Sequence, residues 1–338
     1  MNKESRNIRA VLPAFALALF STGVLGDQPV GSIRNFGPNL QQTVCRQPEG
    51  IAVDPRGNVY AASNSDSAGT TGHVCVFHPD GTLADIISVP AGSSGVVGLL
   101  GELFVEGQGL YVVDQSDNVP PHGRLLRIDP RTHSIVVLAD GYTFPNAIAQ
   151  DRHRNLYISD SATGQIAKVA PDGSSNTLWI DSPLLRTNNP DQPVGANGVA
   201  FDRDQRFLYV ANTGDHRILR IRVERDGSAG PIEVFADGAT INARLGITQA
   251  LSGADGIQFD VHGNLYVLAN QAEEIQVLSP DARLIARYAG SGADALDFPA
   301  SLVFRGDDVY IANMSAQDGG VNSKLSVFEA AHPGLPLH

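Results

Sequence analysis

The chain repeats itself. The stretch PEGIAVDPRGNVYAASN at Pro48–Asn64 returns as PNAIAQDRHRNLYISDS at Pro145–Ser161, ANGVAFDRDQRFLYVANT at Ala196–Thr213, ADGIQFDVHGNLYVLAN at Ala254–Asn270 and PASLVFRGDDVYIANMS at Pro299–Ser315. A more degenerate copy, GLLGELFVEGQGLYVVDQ, lies at Gly98–Gln115. Asn146 and Asn197 are 51 residues apart, Asn197 and Asp255 are 58, and the 97 residues from Glu49 to Asn146 hold two units. Periods of this length mark arrays in which each unit buries its apolar face against its neighbours.

Within a unit the pattern is that of strands. An apolar run such as Ile51–Val53 is followed by a polar turn, Asp54–Asn58, and a second run, Val59–Ala62. A third strand alternates, as in Arg217–Arg222, and Asp-Gly pairs at Asp80, Asp172 and Asp226 lead into a fourth, because glycine accepts positive φ in hairpin turns. High counts of Gly (35) and Pro (20) suit many tight turns rather than long helices. Six four-stranded units arranged radially leave few free edges. The expected fold is therefore all-β: a six-bladed β-propeller with four antiparallel strands per blade, closed by Gly31–Phe36 supplying the outer strand that follows Lys324–Phe328.

The first residues read differently. Lys3, Arg6 and Arg9 precede an apolar stretch, Ala10–Phe20, and Val24 and Gly26 are small enough for a cleavage site. Residues 1–26 are expected to be a signal peptide and 27–338 a single propeller domain, periplasmic or secreted. A membrane anchor is the alternative, but the stretch is short of the ~20 residues a span needs, and Pro13 interrupts it. Cys45 and Cys75 are either one disulfide or two buried thiols. A net charge of −12 without a basic stripe excludes nucleic acid and anionic membranes as partners. The expected partner of the mature chain is a small-molecule substrate, met by a monomer.

In a propeller the residue just before each inner strand faces the top of the central tunnel. Aligned across the repeats, that position holds Glu49, Leu100, Asn146, Asn197, Asp255 and Ala300. Two carboxylates and two amides on one axis form a hard-oxygen set that suits calcium or another divalent cation, and the absence of Cys and His from it disfavours zinc and copper. Asn197-Gly198 and Asp255-Gly256 taken singly read as turns; four such residues at one repeat position point to a shared site. At the ends of the second strands stand Asn64, Asp114, Asp160, Asn212, Asn270 and Asn313. Of these Asp160, Asn212 and Asn270 are candidates to orient the ligands or meet substrate, with chain-turning caps as the alternative. His122 is a candidate proton carrier in the loop Asp114–Gly123. Arg186 and Arg244, in the loops Asp181–Gly195 and Asp237–Gly253 that would rim the pocket, are candidates to meet an anionic substrate, with solvated surface arginine as the favoured alternative.

This arrangement resembles the calcium-dependent propeller hydrolases of the senescence-marker-protein and gluconolactonase family, with diisopropyl fluorophosphatase and the paraoxonases more distant. The resemblance rests on Glu49 in PEG, Asn197 in ANGVAFD, Asp255 in ADGIQFD and Asn146 in PNA. It implies a metal held by these residues and a hydrolase acting on a lactone, ester or phosphoester. The cation would polarise the substrate oxygen, and Asp255 would be the catalytic base or the nucleophile. No Gly-x-Ser-x-Gly elbow is present, which disfavours a serine hydrolase. Single repeats also resemble NHL repeats, so the alternatives are a scaffold that binds a protein or glycan around a structural cation, or a lyase or synthase on the same ring.

Overall fold

A computed structural model of the protein describes residues 30–64 and 69–336. The expected signal peptide, residues 1–26, lies outside them.

The described strands form six four-stranded antiparallel sheets. Their inner strands are Pro48–Val53, Leu99–Val105, Pro145–Gln150, Ala196–Phe201, Ala254–Phe259 and Pro299–Arg305. Each inner strand contacts the next, and the first contacts the last, so the blades close a ring around one axis. The ring is latched as the sequence suggested. Ile33–Phe36 pairs antiparallel with Lys324–Glu329, with Ile33 opposite Phe328 and Phe36 opposite Leu325. Sequence-distant strands thus share one sheet, which ties the N-terminal segment to the last blade.

A single ladder position explains the packing between blades. Tyr60, Tyr111, Tyr157, Tyr209, Tyr266 and Tyr310 stand on the second strands. Four of them lie against a phenylalanine of the following inner strand: Tyr60 on Phe104, Tyr157 on Phe201, Tyr209 on Phe259 and Tyr266 on Phe304, with centroids 4.9–5.5 Å apart. Tyr310 meets Phe36 of the latch edge-on at 5.1 Å. Aromatic pairs of this kind add about 0.5–1.5 kcal/mol each beyond the area they bury. Tyr111 lacks this partner, because blade three carries Gln150 where the others carry phenylalanine or valine.

On the bottom face the Asp-rich turns are structural. Asp54, Asp151 and Asp260 each accept from the N–H four residues on, at 2.8–2.9 Å. Cys45 and Cys75 are joined by a disulfide that pins the loop before the first blade to its third strand. One element was not foreseen: the segment read as a loop at Asp237–Gly253 contains an α-helix, Gly238–Leu245. Its Asp237 carboxylate accepts from Thr240 N, and Gly246 ends it in the left-handed region. Among the described residues no helix is long and apolar enough to cross a membrane.

Candidate metal centre in the central tunnel

The ladder fixes which residues are equivalent. Ile51, Glu102, Ile148, Val199, Ile257 and Leu302 pair with Ala61, Val112, Ile158, Val210, Val267 and Ile311, the residues that follow the repeated tyrosines. Two residues earlier stand Glu49, Leu100, Asn146, Asn197, Asp255 and Ala300, all buried. The register of every inner strand breaks across this position, between Pro48 and Gly50 in the first blade and between Ala254 and Ile257 in the fifth. A bulge re-aims a side chain, and here it recurs in every blade.

Asn197-Gly198 and Asp255-Gly256 are therefore strand residues, not turns. Their glycines serve the ring. A Cβ on Gly198 would stand 2.3 Å from the Asp255 carbonyl oxygen, and one on Gly50 2.2 Å from that of Leu100. Small residues after the polar position let successive inner strands close around the axis.

Three of the four candidates are linked electrostatically. Glu49 feels the Asp255 charge across the ring, and the Asn197 amide lies close enough to Asp255 to help hold its carboxylate charged. Oε2 of Glu49 and Oδ1 of Asp255 are buried without a hydrogen-bond partner. Burial pushes Glu49 well above the usual carboxylate range, and the charges of Asp255 and Glu102 push it further. Burial likewise raises Asp255 to about 7, against the pull of the Asn270 and Asn197 amides. Asn146 occupies the same repeat position, buried, in the third blade.

Hydroxyls and amides set the orientations. Asn197 Nδ2 donates to Thr213 Oγ1 at 3.0 Å, and that hydroxyl spends its proton on the Ala254 carbonyl at 2.7 Å. The amide is thereby held with Oδ1 as the atom left for the axis. Ser159 Oγ accepts from Ala147 N and donates to the Asn197 carbonyl, which joins the third and fourth blades beside the site. Asn270 Nδ2 donates to Asp255 Oδ2 at 2.8 Å.

The residues at the ends of the second strands separate into two roles. Asp160 accepts from the N–H groups of Thr143, Phe144, Ala162 and Thr163. Asn212 donates to the carbonyls of Leu184 and Arg186 and accepts from Asp215 N. Asp114 and Asn313 hold Gly98 N and Asp297 N in the same way. These four fasten loops that lead into the inner strands, and Asn270 turns to the carboxylate instead. His122 is held by Asp117 of its own loop, at 2.8 Å, and Arg186 pairs with Asp181.

The sequence reading missed Glu102. It lies one pleat below the quartet, where the other blades carry Ile, Val or Leu. Its carboxylate is buried and has no counter-ion, with only the Ala62 N–H close to it. Burial drives its pKa well up, with the Ala62 N–H as a small opposing influence. The visible signal was a charge inside an apolar run of the degenerate repeat.

Among the described residues no group of three or more His, Cys, Asp or Glu side chains is arranged to hold a metal. Glu102 thus does not share one coordination shell with Glu49 and Asp255, and the candidate set stays mixed, two carboxylates and two amides. That set fits a hard divalent cation. Its donors are all oxygen, two of them are buried and unpaired, and two mutually repelling carboxylates in one dry place call for a counter-charge.

Residues 187–315 match the family described as SMP-30/Gluconolactonase/LRE-like region. That stretch contains Asn197, Asp255 and Asn270. A search of curated protein sequences finds no match. Among solved structures the chain is similar to a gluconolactonase from Xanthomonas campestris, with TM-score 0.61 at 18% identity over 84% of this chain and 86% of that one. Regucalcin from Agrobacterium tumefaciens, described as a calcium-binding protein, gives 0.60 at 18% identity over 85% and 90%. A chain of a nidogen/laminin complex gives 0.54 at 17% over 74% and 82%. The ring is common to all three, and the family match over residues 187–315 bears out the resemblance read from the repeats.

Proposed function

We propose that the chain is a calcium-dependent hydrolase acting on a lactone, ester or phosphoester at the top of its central tunnel. The family match over residues 187–315 supports a lactonase-type hydrolase on this ring. The observation that carries the finer reading is the pair of buried, unpaired oxygens, Glu49 Oε2 and Asp255 Oδ1, flanked by the oriented amide of Asn197. The cation would be held by Glu49, Asn146, Asn197 and Asp255, and calcium's usual six to eight oxygens leave positions for water and substrate. When bound, it would supply Lewis-acid polarisation of the carbonyl or phosphoryl oxygen.

The rest falls to the chain. Glu49 balances charge. Asn197, steered by Thr213, offers an oxygen rather than an N–H. Asp255 takes the proton of an attacking water or attacks the substrate itself, and the Asn270 amide fixes its carboxylate in either role. A carboxylate is needed here because calcium lowers the pKa of bound water far less than zinc does. The Cys45–Cys75 disulfide supports work in an oxidising compartment, periplasmic or extracellular, after removal of residues 1–26. The deciding experiment is a panel of simple lactones, aryl esters and phosphotriesters on calcium-loaded protein, with and without chelator. Turnover that chelation abolishes and calcium restores is expected; inertness towards the whole panel leaves the scaffold.

A further inference from the structure

On the lower face, blades three and four leave a cavity of about 650 Å³ between them, within the range of small-molecule sites. Its walls come from the turns that follow the third and fourth inner strands, residues 151–155 and 205–207, and from the hairpin at residues 222–227. Asn146 and Asn197 stand at the upper ends of the same two strands, about 15 Å away at the usual rise of a strand. The cavity is therefore separate from the candidate metal centre. Five of its lining side chains are basic, Arg152, Lys168, Arg206, Arg222 and Arg225, and three are acidic, Asp151, Glu224 and Asp226. With His153 neutral the surplus is two positive charges, in a chain whose net charge is −12.

The acidic groups are already engaged. Asp151 Oδ2 accepts from Asn155 Nδ2 at 2.8 Å and from the Tyr157 hydroxyl at 3.3 Å, with Lys168 Nζ at 3.9 Å. Asp226 Oδ1 accepts from the N–H and the hydroxyl of Ser228, and Glu224 has Arg222 at 3.6 Å. Two of the basic groups brace the seam between the blades. Arg152 Nε donates to Gln205 Oε1 at 3.2 Å, and its Nη2 donates to the Asp204 carbonyl. Lys168 Nζ donates to the Gly227 carbonyl at 3.4 Å and sits over the Tyr157 ring. Arg206 and Arg225 are left. Both are exposed, and among the described residues neither side chain has an ion pair or a hydrogen bond. Asp202 feels Arg206 only as a charge beyond ion-pair distance. Beside them Phe207 and Val223 are half-buried and line the same cavity.

We infer that this pocket binds an organic dianion of the phosphomonoester class, with Arg206 and Arg225 on its charged head and Phe207 and Val223 against its body. A guanidinium presents paired N–H groups that match the oxygens of a phosphate, and one without a carboxylate partner has them to give. The charge surplus matches a head of two negative charges, and the apolar wall favours a ligand with a carbon body over the bare ion. Arginines scattered on an open surface draw any anion weakly, through an attraction that salt screens. A braced cavity that brings two unpaired guanidiniums and an apolar side together selects among anions. The inference uses neither calcium nor hydrolysis, because none of its residues belongs to the tunnel site.

The test is calorimetric titration of the full chain in excess chelator at pH 8. The probe is phenylphosphonate, a dianion with an aromatic body and no ester to hydrolyse. Benzenesulfonate, the same ring with one charge, is the comparison at equal ionic strength. Wild type is expected to bind one phenylphosphonate saturably, at least about tenfold tighter than benzenesulfonate, with affinity that falls as salt is added. Arg206→Gln combined with Arg225→Gln should weaken that binding at least about tenfold. Both side chains are exposed, so the variant should fold, and an unchanged melting temperature checks that it does. Arg244→Gln, an exposed arginine of another loop, and Asp255→Asn in the tunnel should bind as wild type does. Absence of saturable binding overturns the proposal, as does binding that survives the double variant. Equal affinity for benzenesulfonate overturns the dianion. Equal weakening by Arg244→Gln overturns the pocket in favour of diffuse attraction, and loss of binding in Asp255→Asn overturns it in favour of the tunnel.

Discussion

Asn270 donates to Asp255 Oδ2 at 2.8 Å, and the carboxylate's other oxygen, Oδ1, is buried and makes no hydrogen bond. The bond does two things. It fixes the carboxylate plane, and it leaves one oxygen for the axis. Asn270→Ala is expected to lower activity or cation affinity by about 10–100-fold, the usual cost of losing a residue that orients a ligand. Asn270→Asp should be worse, because it sets a second carboxylate against Asp255. Calcium titration of activity for both variants checks this, and a loss no larger than that in Asn212→Ala, which disturbs only a loop, would remove Asn270 from the site.

Glu49 and Asp255 divide the work differently. Asp255→Asn should abolish turnover even at saturating calcium, since an amide can serve neither as base nor as nucleophile. Glu49→Gln should chiefly weaken binding, so that added calcium recovers much of the activity. Calcium itself should stabilise the fold by about 2.7 kcal/mol at a hundredfold excess over Kd, and thermal melts of each variant with and without calcium separate binding from chemistry. Turnover by Asp255→Asn at high calcium would contradict the assignment.

Gly198 links ring closure to the site. A Cβ there would lie 2.3 Å from the Asp255 carbonyl oxygen, and real contacts are never so short. Gly198→Ala must push the fifth inner strand outward, at a cost on the order of 1–3 kcal/mol as for other overpacked positions, and must carry Asp255 away from Asn197. The expected result is a lower melting temperature together with weaker calcium binding. A variant that loses stability and keeps full calcium affinity would show the glycine to be merely a packing residue.

The fold was legible in the sequence, and what the sequence did not show has physical causes. The ring followed from the repeat, because each copy carries its apolar runs and turn residues in register. The quartet was read from Glu, Asn, Asn and Asp at one repeat position, which serve no common turn. Glu102 was not found: the degenerate second blade aligns Leu100 with Glu49, and the buried carboxylate lies two residues further along the strand. Nor does sequence separate Asn270 from Asn212 or Asn313, which end the same strand in other blades. The difference is local geometry, since Asn212 and Asn313 fasten their loops whereas Asn270 reaches Asp255. The helix Gly238–Leu245 is short, and its visible signs were only the Asp237 cap and Gly246.

The metal-free protein should respond to pH in the direction opposite to ordinary acid denaturation. Paired carboxylates usually have depressed pKa values, so stability falls as they protonate. Here the shifts run the other way. Burial raises Glu49 and Glu102 well above their ordinary range and Asp255 to about 7, whereas in the unfolded chain all three titrate near about 4. Between those limits the folded state binds more protons than the unfolded state. The slope of stability with pH is therefore negative, and stability present near pH 4–5 is lost as pH rises through about 7. Bound calcium reverses the balance at the quartet, because it needs the charged carboxylates that the empty fold disfavours. In excess chelator the melting temperature should drop by several degrees between pH 5 and pH 8; in excess calcium it should hold or rise. Asp255→Asn isolates one contribution: in chelator its curve should be flatter than that of wild type across the same window. A chelated wild-type curve that is flat or rising from pH 5 to pH 8 would mean that these carboxylates are not buried together as described, and that the tunnel does not hold the charges from which the cation site was inferred.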